Sequence, residues 1–152
     1  MLPARGSPDL LPALVAESAR KSRVCWLSWP GVDGRPTAPR LVWHAWYDGA
    51  LAVLSGDEGQ VLPGLAQLLG AGTVEVSVRS KDTGGRLLAW SGSVEVVDPG
   101  DESWEQVAGA LLGVRLNLRD PAATLAAWRM GATVLRIVPA DVTGKTDPGP
   151  LP

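Results

Sequence analysis

The pair Asp48-Gly49 lies between two runs rich in valine, leucine and tryptophan, in the stretch GRPTAPRLVWHAWYDGALAVLSG at residues 34–56. Asp-Gly between apolar runs is a strong local signal for a tight β-hairpin turn, because such turns need positive φ angles at their central residues. The pair therefore predicts two antiparallel strands, over residues 37–47 and 50–55. This hairpin makes antiparallel β-structure the starting point for the fold.

Further strands and helices are predicted on both sides of the hairpin. Residues 73–79 alternate most cleanly, with Val74, Val76 and Val78 on one face and polar residues on the other. Gly92, in the middle of a long strand, predicts a bend or a bulge. Sequential antiparallel strands with a few covering helices indicate a small barrel or an α+β domain. The remaining strands are expected at residues 23–29, 86–97 and 133–138, and the helices at 7–21, after Pro63, at 103–113 and at 120–131.

Composition limits the domain count and the class of partner. The 152 residues are 45% hydrophobic and 20% charged, which predicts a single domain over residues 1–142. Residues 143–152 are rich in proline and glycine and are expected to form a flexible tail. The net charge is −2 and no basic run is present, which argues against a nucleic-acid partner. Because no apolar stretch reaches membrane-spanning or signal-peptide length, we expect a cytoplasmic protein with no membrane partner.

The chain has one histidine and one cysteine, His44 and Cys25, and this limits the available chemistry. Zinc sites and cysteine clusters need more ligands, so no metal site is predicted. His44 lies in an apolar strand, and the simplest interpretation is a structural histidine. No GxSxG motif supports a role beside a serine nucleophile. Cys25 lies in an apolar strand pattern, which indicates a small core residue.

Two groups of basic residues are candidates for binding an anion. Arg40 lies in an apolar strand, and a buried arginine needs a carboxylate or a ligand phosphate as its partner. The turn Arg79-Ser80-Lys81, with Arg86 opening the next strand, is a second group of donors. The alternative is ordinary solvent-exposed charge, which is usual in turns. The carboxylates are scattered, and none forms the apolar pair that general acid–base catalysis favours.

Taken together, these segments resemble the pyridoxamine 5′-phosphate oxidase-like family. The ordered set is RVCWLSW at residues 23–29, GVDGRPTAPRLVWHAWYDGALAVLSG at 31–56, a short helix, and TVEVSVR at 73–79. The resemblance covers about residues 11–138. It implies a mainly β (α+β) fold, an antiparallel split β-barrel with peripheral helices. It also implies a homodimer with FMN in a cleft between the subunits, although this family includes deazaflavin-dependent, haem-handling and cofactor-free members.

The resemblance implies roles for individual residues on two strands. Arg40 matches the arginine that contacts the flavin phosphate. Leu41, Val42 and Trp43 match the residues that line the flavin ring, where the strand also offers backbone groups. Ser55 matches the hydroxyl at the end of the next strand.

The loop after Ser55 departs from the family pattern. Flavin binders usually carry a lysine-containing phosphate clamp there, whereas this chain reads Gly56-Asp57-Glu58-Gly59-Gln60-Val61. Two carboxylates repel a phosphate unless they point to solvent, which leaves the Gln60 amide as the cofactor-binding candidate of this loop. Lys81, with Arg79 and Arg86, is the candidate to supply the missing positive charge.

The sequence therefore predicts an FMN-binding protein, with a deazaflavin as the alternative cofactor, that acts as a flavin- or deazaflavin-dependent oxidoreductase. The residues that would bind a pyridoxamine phosphate substrate have no match near the C-terminus, so that oxidation itself is not expected. The alternative is a cofactor-free split-barrel dimer with a binding or structural role, which the acidic loop favours.

Overall fold

The computed structural model describes residues 10–56, 60–80, 86–115 and 120–140. These contain four helices, α1 (Leu10–Lys21), α2 (Leu65–Ala71), α3 (Trp104–Val114) and α4 (Pro121–Gly131). They contain seven strands, β1 (Val24–Ser28), β2 (Arg40–Trp43), β3 (Ala45–Tyr47), β4 (Ala50–Ser55), β5 (Thr73–Ser80), β6 (Arg86–Val97) and β7 (Thr133–Pro139). No helix in these ranges is both long enough and apolar enough to cross a membrane. The predicted tail at 143–152 lies outside the described residues.

The seven strands form one antiparallel sheet in the order β2-β1-β5-β6-β7-β4-β3. The two end strands, β2 and β3, follow one another in the chain and are separated only by His44. Because one short stretch of chain lies at both ends of the sheet, the sheet curls back on itself. The result is the predicted antiparallel split barrel, mainly β, with peripheral helices.

The prediction of one continuous strand over residues 37–47 is wrong. Residues 37–39 are irregular, and the remainder consists of β2 and β3 with His44 between them. β2 pairs with β1, whereas β3 pairs with β4. Apolar residues continue across the break, so the sequence pattern gives no sign that the strand changes partner.

The hairpin predicted from Asp48-Gly49 is confirmed. Asp48 has a φ angle of 53° and Gly49 one of 77°, which are the left-handed conformations that a two-residue hairpin turn requires. Tyr47 pairs with Ala50 directly across the turn. The short turn fixes the register of β3 on β4.

A first apolar cluster fills the interior of the half-barrel. The predicted alternation of β5 is confirmed, because Val74, Val76 and Val78 are all buried. Trp90 of β6 is among the largest side chains with less than 2% exposure. Helix α1 contributes Val15 to the same cluster. Residues of α1, near the start of the described chain, and of β7, near its end, therefore pack in the same interior cluster.

A second apolar cluster lies on the opposite face of β4 and β7, against helices α3 and α4. Every residue of β4 is buried, because alternate side chains enter the two clusters. Leu51 and Val53 belong to the interior cluster, whereas Leu54 belongs to the second. Helices α3 and α4 contribute the fully buried indoles Trp104 and Trp128.

Gly92 allows a close approach between two strands, and of the predicted bend or bulge, the bulge is absent. The pairing of β6 with β5 continues in register from Arg86 to Ser93, so no extra residue is inserted. A Cβ atom at position 92 would lie 2.5 Å from Cγ2 of Ile137 and 2.9 Å from the carbonyl oxygen of Val138. The glycine is needed because the Ile137 side chain packs directly over its backbone.

Candidate functional site

Strand β2 carries four of the residues predicted to bind a cofactor, and its alternation divides them between two faces. Val42 is buried in the interior cluster, so only its backbone is accessible to a ligand. Leu41 is 55% exposed, and it lies directly across from Trp26 of β1. Trp43 is half-buried on the same outer face as Leu41. β2 therefore presents one aliphatic and one indole side chain outward.

Gln60 holds the end of β2 through both of its amide atoms. Its Oε1 accepts from the Trp43 backbone N–H at 3.0 Å, and its Nε2 donates to the Trp43 carbonyl at 2.8 Å. The Gln60 carbonyl in turn accepts from the Gly56 N–H at 2.8 Å. The side chain thus takes the place that a neighbouring strand would occupy beside Trp43.

Ser55 lies at the end of β4 and is 6% exposed. Its Oγ accepts from the Leu62 backbone N–H at 3.0 Å, and its hydroxyl proton remains available as a donor. The structure therefore brings Trp43, Ser55 and Gln60 together at one end of β2. Arg40 begins the same strand three residues away, about 10 Å along it at the usual rise of a strand.

The expectation that Arg40 is buried is wrong for the single chain, because its side chain is exposed. Among the described residues it has no salt-bridge partner. Of the second basic group, Lys81 lies outside the described residues, as does the side chain of Arg86. The Arg79 Cζ lies 6.0 Å from the centre of the Trp26 ring, which places this cation on the outer face beside β1.

A further cation, Arg115, lies against Trp43 and has no counterpart in the sequence-based prediction. It follows the last residue of α3, and its Cζ lies 5.0 Å from the centre of the Trp43 ring. The other indole at this place is Trp128 of α4, whose ring centre is 6.2 Å from that of Trp43 at an interplanar angle of 31°. We call the group formed by Trp43, Gln60, Arg115 and Trp128 the Trp43 corner. Its members are distant in sequence, so no local motif could identify it.

His44 and Cys25 are both fully buried, at 0% exposure. Nε2 of His44 lies 2.9 Å from the Ala19 carbonyl oxygen, which can only accept, so the proton is assigned to Nε2. Burial lowers the pKa of His44, and hydrogen bonding with the backbone of Ala19 and Ser22 opposes this in part. Burial raises the pKa of the Cys25 thiol. Both side chains lie in the core, which supports the structural role that the sequence predicted for them.

Cavities of about 400, 340 and 370 Å³ open on the described surface. They lie beside the β3–β4 turn, beside the β1–β2 turn and beneath α1. None of the three is lined by a residue of β2. In the single chain, Leu41 is exposed and Trp43 is half-buried.

A scan against protein-family models finds no match to the sequence, and a search of curated proteins finds none either. Comparison with solved structures defines the fold class. A protein of the pyridoxine phosphate oxidase family from Clostridium acetobutylicum is 16% identical with a TM-score of 0.55, and the match covers 88% of this chain and 85% of that one. The chain therefore shares the fold of pyridoxamine 5′-phosphate oxidase-like proteins, as its motifs predicted.

Two other solved structures with this fold differ in what they bind. An FAD-binding protein from Mesorhizobium loti is 18% identical with a TM-score of 0.59, and the match covers 84% of this chain and 87% of that one. HutZ, the heme storage protein from Vibrio cholerae, is 15% identical with a TM-score of 0.61, and the match covers 86% of this chain and 90% of that one. The fold alone is therefore compatible with more than one class of cofactor.

Proposed function

We propose that this protein binds FMN along strand β2 and acts as a flavin-dependent oxidoreductase. The observation that carries the proposal is strand β2, where an arginine with no salt-bridge partner among the described residues, an exposed leucine and a half-buried indole follow one another within four residues. A bound flavin would supply the redox chemistry, while the protein binds and orients it and adjusts its electrostatic surroundings. A deazaflavin is the alternative cofactor for the same surface.

In this proposal Arg40 contacts the flavin phosphate, and Leu41, Val42 and Trp43 line the ring. Val42 would contribute its backbone, because its side chain belongs to the interior cluster. Ser55 would donate the hydroxyl proton that its bond from Leu62 leaves free.

Gln60 and Lys81 complete the set of proposed cofactor-binding residues. Because both amide atoms of Gln60 are bonded to Trp43, its contribution would be to position the backbone of β2. Lys81, which lies outside the described residues, would supply positive charge.

Two observations favour a flavin over a haem as the bound group. Haem iron in proteins is commonly held by a histidine or a cysteine. The only histidine and the only cysteine of this sequence are both fully buried, and Nε2 of His44 is bonded to Ala19. Neither side chain is placed to reach a ligand at the surface.

We also propose that the protein is a homodimer whose interface covers the outer face of β2, β1, β5 and β6. The register places Leu41, Trp26, Ser77 and Ala89 in one row across these four strands. Val24 is 41% exposed on the same face. Exposed apolar side chains on neighbouring strands are typical of an interaction surface. A second subunit packed there would also enclose the open surface beside Leu41 and Trp43.

Titration of the purified protein with FMN tests the function, followed by cofactor fluorescence and tryptophan quenching. We expect saturable micromolar binding by the natural sequence and its loss in Arg40→Glu. Arg35→Glu is the matched control. Arg35 is also exposed, and its substitution makes the same charge change in the turn before β2. Equal FMN affinity in Arg40→Glu and the natural sequence would remove Arg40 from the site.

Light scattering during size-exclusion chromatography tests the dimer. Val24→Asp places a charge on the proposed interface, and we expect it to give monomers. Val96→Asp is the control, since Val96 is 52% exposed on β6 but, by the alternation of that strand, lies on the face opposite Ala89. A dimer that persists in Val24→Asp would place the interface elsewhere.

The alternative function is a cofactor-free dimer with a binding or structural role. It is favoured by the engagement of Ser55 and Gln60 in bonds to the protein backbone. Absence of binding to both FMN and a deazaflavin, in a protein that is still dimeric, would establish this alternative in place of the redox function.

A further inference from the structure

Arg115 has a buried donor without an acceptor. Its Nη1 is shielded from solvent and makes no hydrogen bond with any residue that the structure describes. A guanidinium stays charged at any pH the protein tolerates, so the cost of burying this donor cannot be relieved by deprotonation. The contact with the Trp43 ring at 5.0 Å stabilises the charge, but a ring face does not replace the directional bond that the N–H group lacks.

Three carboxylates on or next to helices α3 and α4 have other partners. Glu105 of α3 pairs with Arg129 at 3.8 Å. Asp120 accepts from a backbone N–H at the start of α4, and Asp101 accepts from both the backbone and the hydroxyl of Ser103. Among the described residues, no carboxylate forms a salt bridge with Arg115.

The unpartnered groups of the second apolar cluster are all donors. Within the described ranges, the indole Nε1 atoms of Trp104 and Trp128 are buried without an acceptor, like Nη1 of Arg115. Gln60, which also belongs to the Trp43 corner, uses its amide oxygen to accept from the Trp43 N–H. A surplus of donors with a fixed positive charge is the chemistry that recognises an anion.

We propose that Arg115, held against Trp43, binds an anionic group, a phosphate or a carboxylate, at the Trp43 corner. The identity of the larger ligand rests on the proposed flavin function, whereas the anion site itself does not. The anion is either the phosphate of the flavin, which would then lie at Trp43 and not at Arg40, or a separate anionic ligand beside a flavin whose phosphate contacts Arg40. Arg115 supplies a charge at the end of β2 where the acidic loop lacks the lysine clamp.

Three variants test Arg115. Arg115→Met keeps the length of the side chain and removes the charge, and Arg115→Lys keeps the charge without the planar fork of donors. Arg129→Met is the control, because Arg129 also lies over an indole, with its Cζ 4.3 Å from the centre of the Trp104 ring, but its Nη1 has a partner in the Pro99 carbonyl at 2.8 Å. Each variant is titrated with FMN, with riboflavin and with inorganic pyrophosphate.

If the flavin phosphate is the anion, Arg115→Met should weaken FMN binding about tenfold or more and leave riboflavin binding unchanged. If the anion is a separate ligand, pyrophosphate should still raise the melting temperature of the FMN-loaded natural protein, and Arg115→Met should abolish that rise. In both cases the response of Arg115→Lys should be intermediate between those of Arg115→Met and the natural protein. Arg129→Met should respond as the natural protein does. Unchanged responses to FMN and pyrophosphate in Arg115→Met would overturn the anion site.

The flavin function and the anion site can fail separately. If the natural protein binds neither FMN nor riboflavin, the flavin function is refuted, and the pyrophosphate titration alone decides the role of Arg115. A rise in melting temperature that is lost in Arg115→Met would then support the site. No response of the natural protein to pyrophosphate would refute it.

Discussion

Replacing Gln60 by alanine should detach the loop after β4 from strand β2. The substitution removes two hydrogen bonds, of 3.0 and 2.8 Å, and leaves the Trp43 N–H and C=O without their partner. Each bond contributes about 0.5–1.5 kcal/mol net, and each backbone group left unpaired in a partly buried place adds to the loss. We therefore expect Gln60→Ala to lower the free energy of unfolding by about 2–4 kcal/mol.

Gln60→Glu provides a second, pH-dependent test of the same contact. The carboxylate can still accept from the Trp43 N–H, but its other oxygen would face the Trp43 carbonyl, to which Nε2 now donates at 2.8 Å. Repulsion raises the pKa of the new glutamate in the folded state above its unfolded value of about 4.3. The stabilising contribution of the protonated glutamate is fully present below about pH 4.3 and is lost as the pH rises through the folded pKa. Relative to the natural protein, the variant should therefore be less stable to unfolding at about pH 7 than at about pH 4.5.

Urea unfolding followed by tryptophan fluorescence, at one fixed protein concentration, measures both variants. Gln67→Ala is the control, because Gln67 is an exposed glutamine on α2, and it should change the stability by less than about 0.5 kcal/mol. A Gln60→Ala protein as stable as Gln67→Ala would refute the reasoning, since the two hydrogen bonds would then carry no net stability. FMN titration of the same variants would show whether β2 needs this support to bind a ligand.

Three other predictions follow from buried groups. The pKa of His44 is lowered in the folded state, so as the pH is lowered the unfolded state binds a proton before the folded state does. The free energy of unfolding should therefore decrease as the pH is lowered from about 7.5 to 5.5, by at most about 1.4 kcal/mol per pH unit. His44→Gln, which keeps a donor, should flatten this slope in urea unfolding, and an unchanged slope would contradict the assignment. Gly92→Ala should destabilise by about 1–3 kcal/mol through overpacking against Ile137, whereas Gly109→Ala, which meets open space on α3, should be neutral or stabilising. Cys25 is buried with a raised pKa, so a thiol reagent should modify it only in urea, and rapid labelling of the native protein would contradict its core position.

The parts of the fold that could be predicted from sequence are those set by short-range patterns. The Asp48-Gly49 turn and the alternation of β5 depend on residues within a few positions of one another. The ordered set of motifs then identified the split barrel. The break at His44 could not be read in this way, because β2 and β3 are both apolar and differ only in their pairing partners.

The candidate site was predicted only in part, for a related reason. Arg40, Leu41 and Trp43 lie on one strand, so a strand motif could nominate them together. The engagement of Gln60 by the Trp43 backbone depends on how the loop folds over β2. Arg115 is a single cation after a helix, and its contact with Trp43 depends on the packing of α3 and α4 against the sheet. Neither contact has a signature in the local sequence.

The place of β7 in the sheet has a consequence for how the protein is made. β7 is the last of the described strands, yet it lies between β6 and β4. Before β7 is added, the other strands can form only two separate groups, β2-β1-β5-β6 and the β3–β4 hairpin. During synthesis, the half-barrel therefore cannot close until residue 139 has left the ribosome. The exposed edges of β6 and β4 until then make this the stage at which the nascent chain is most prone to pair with another chain.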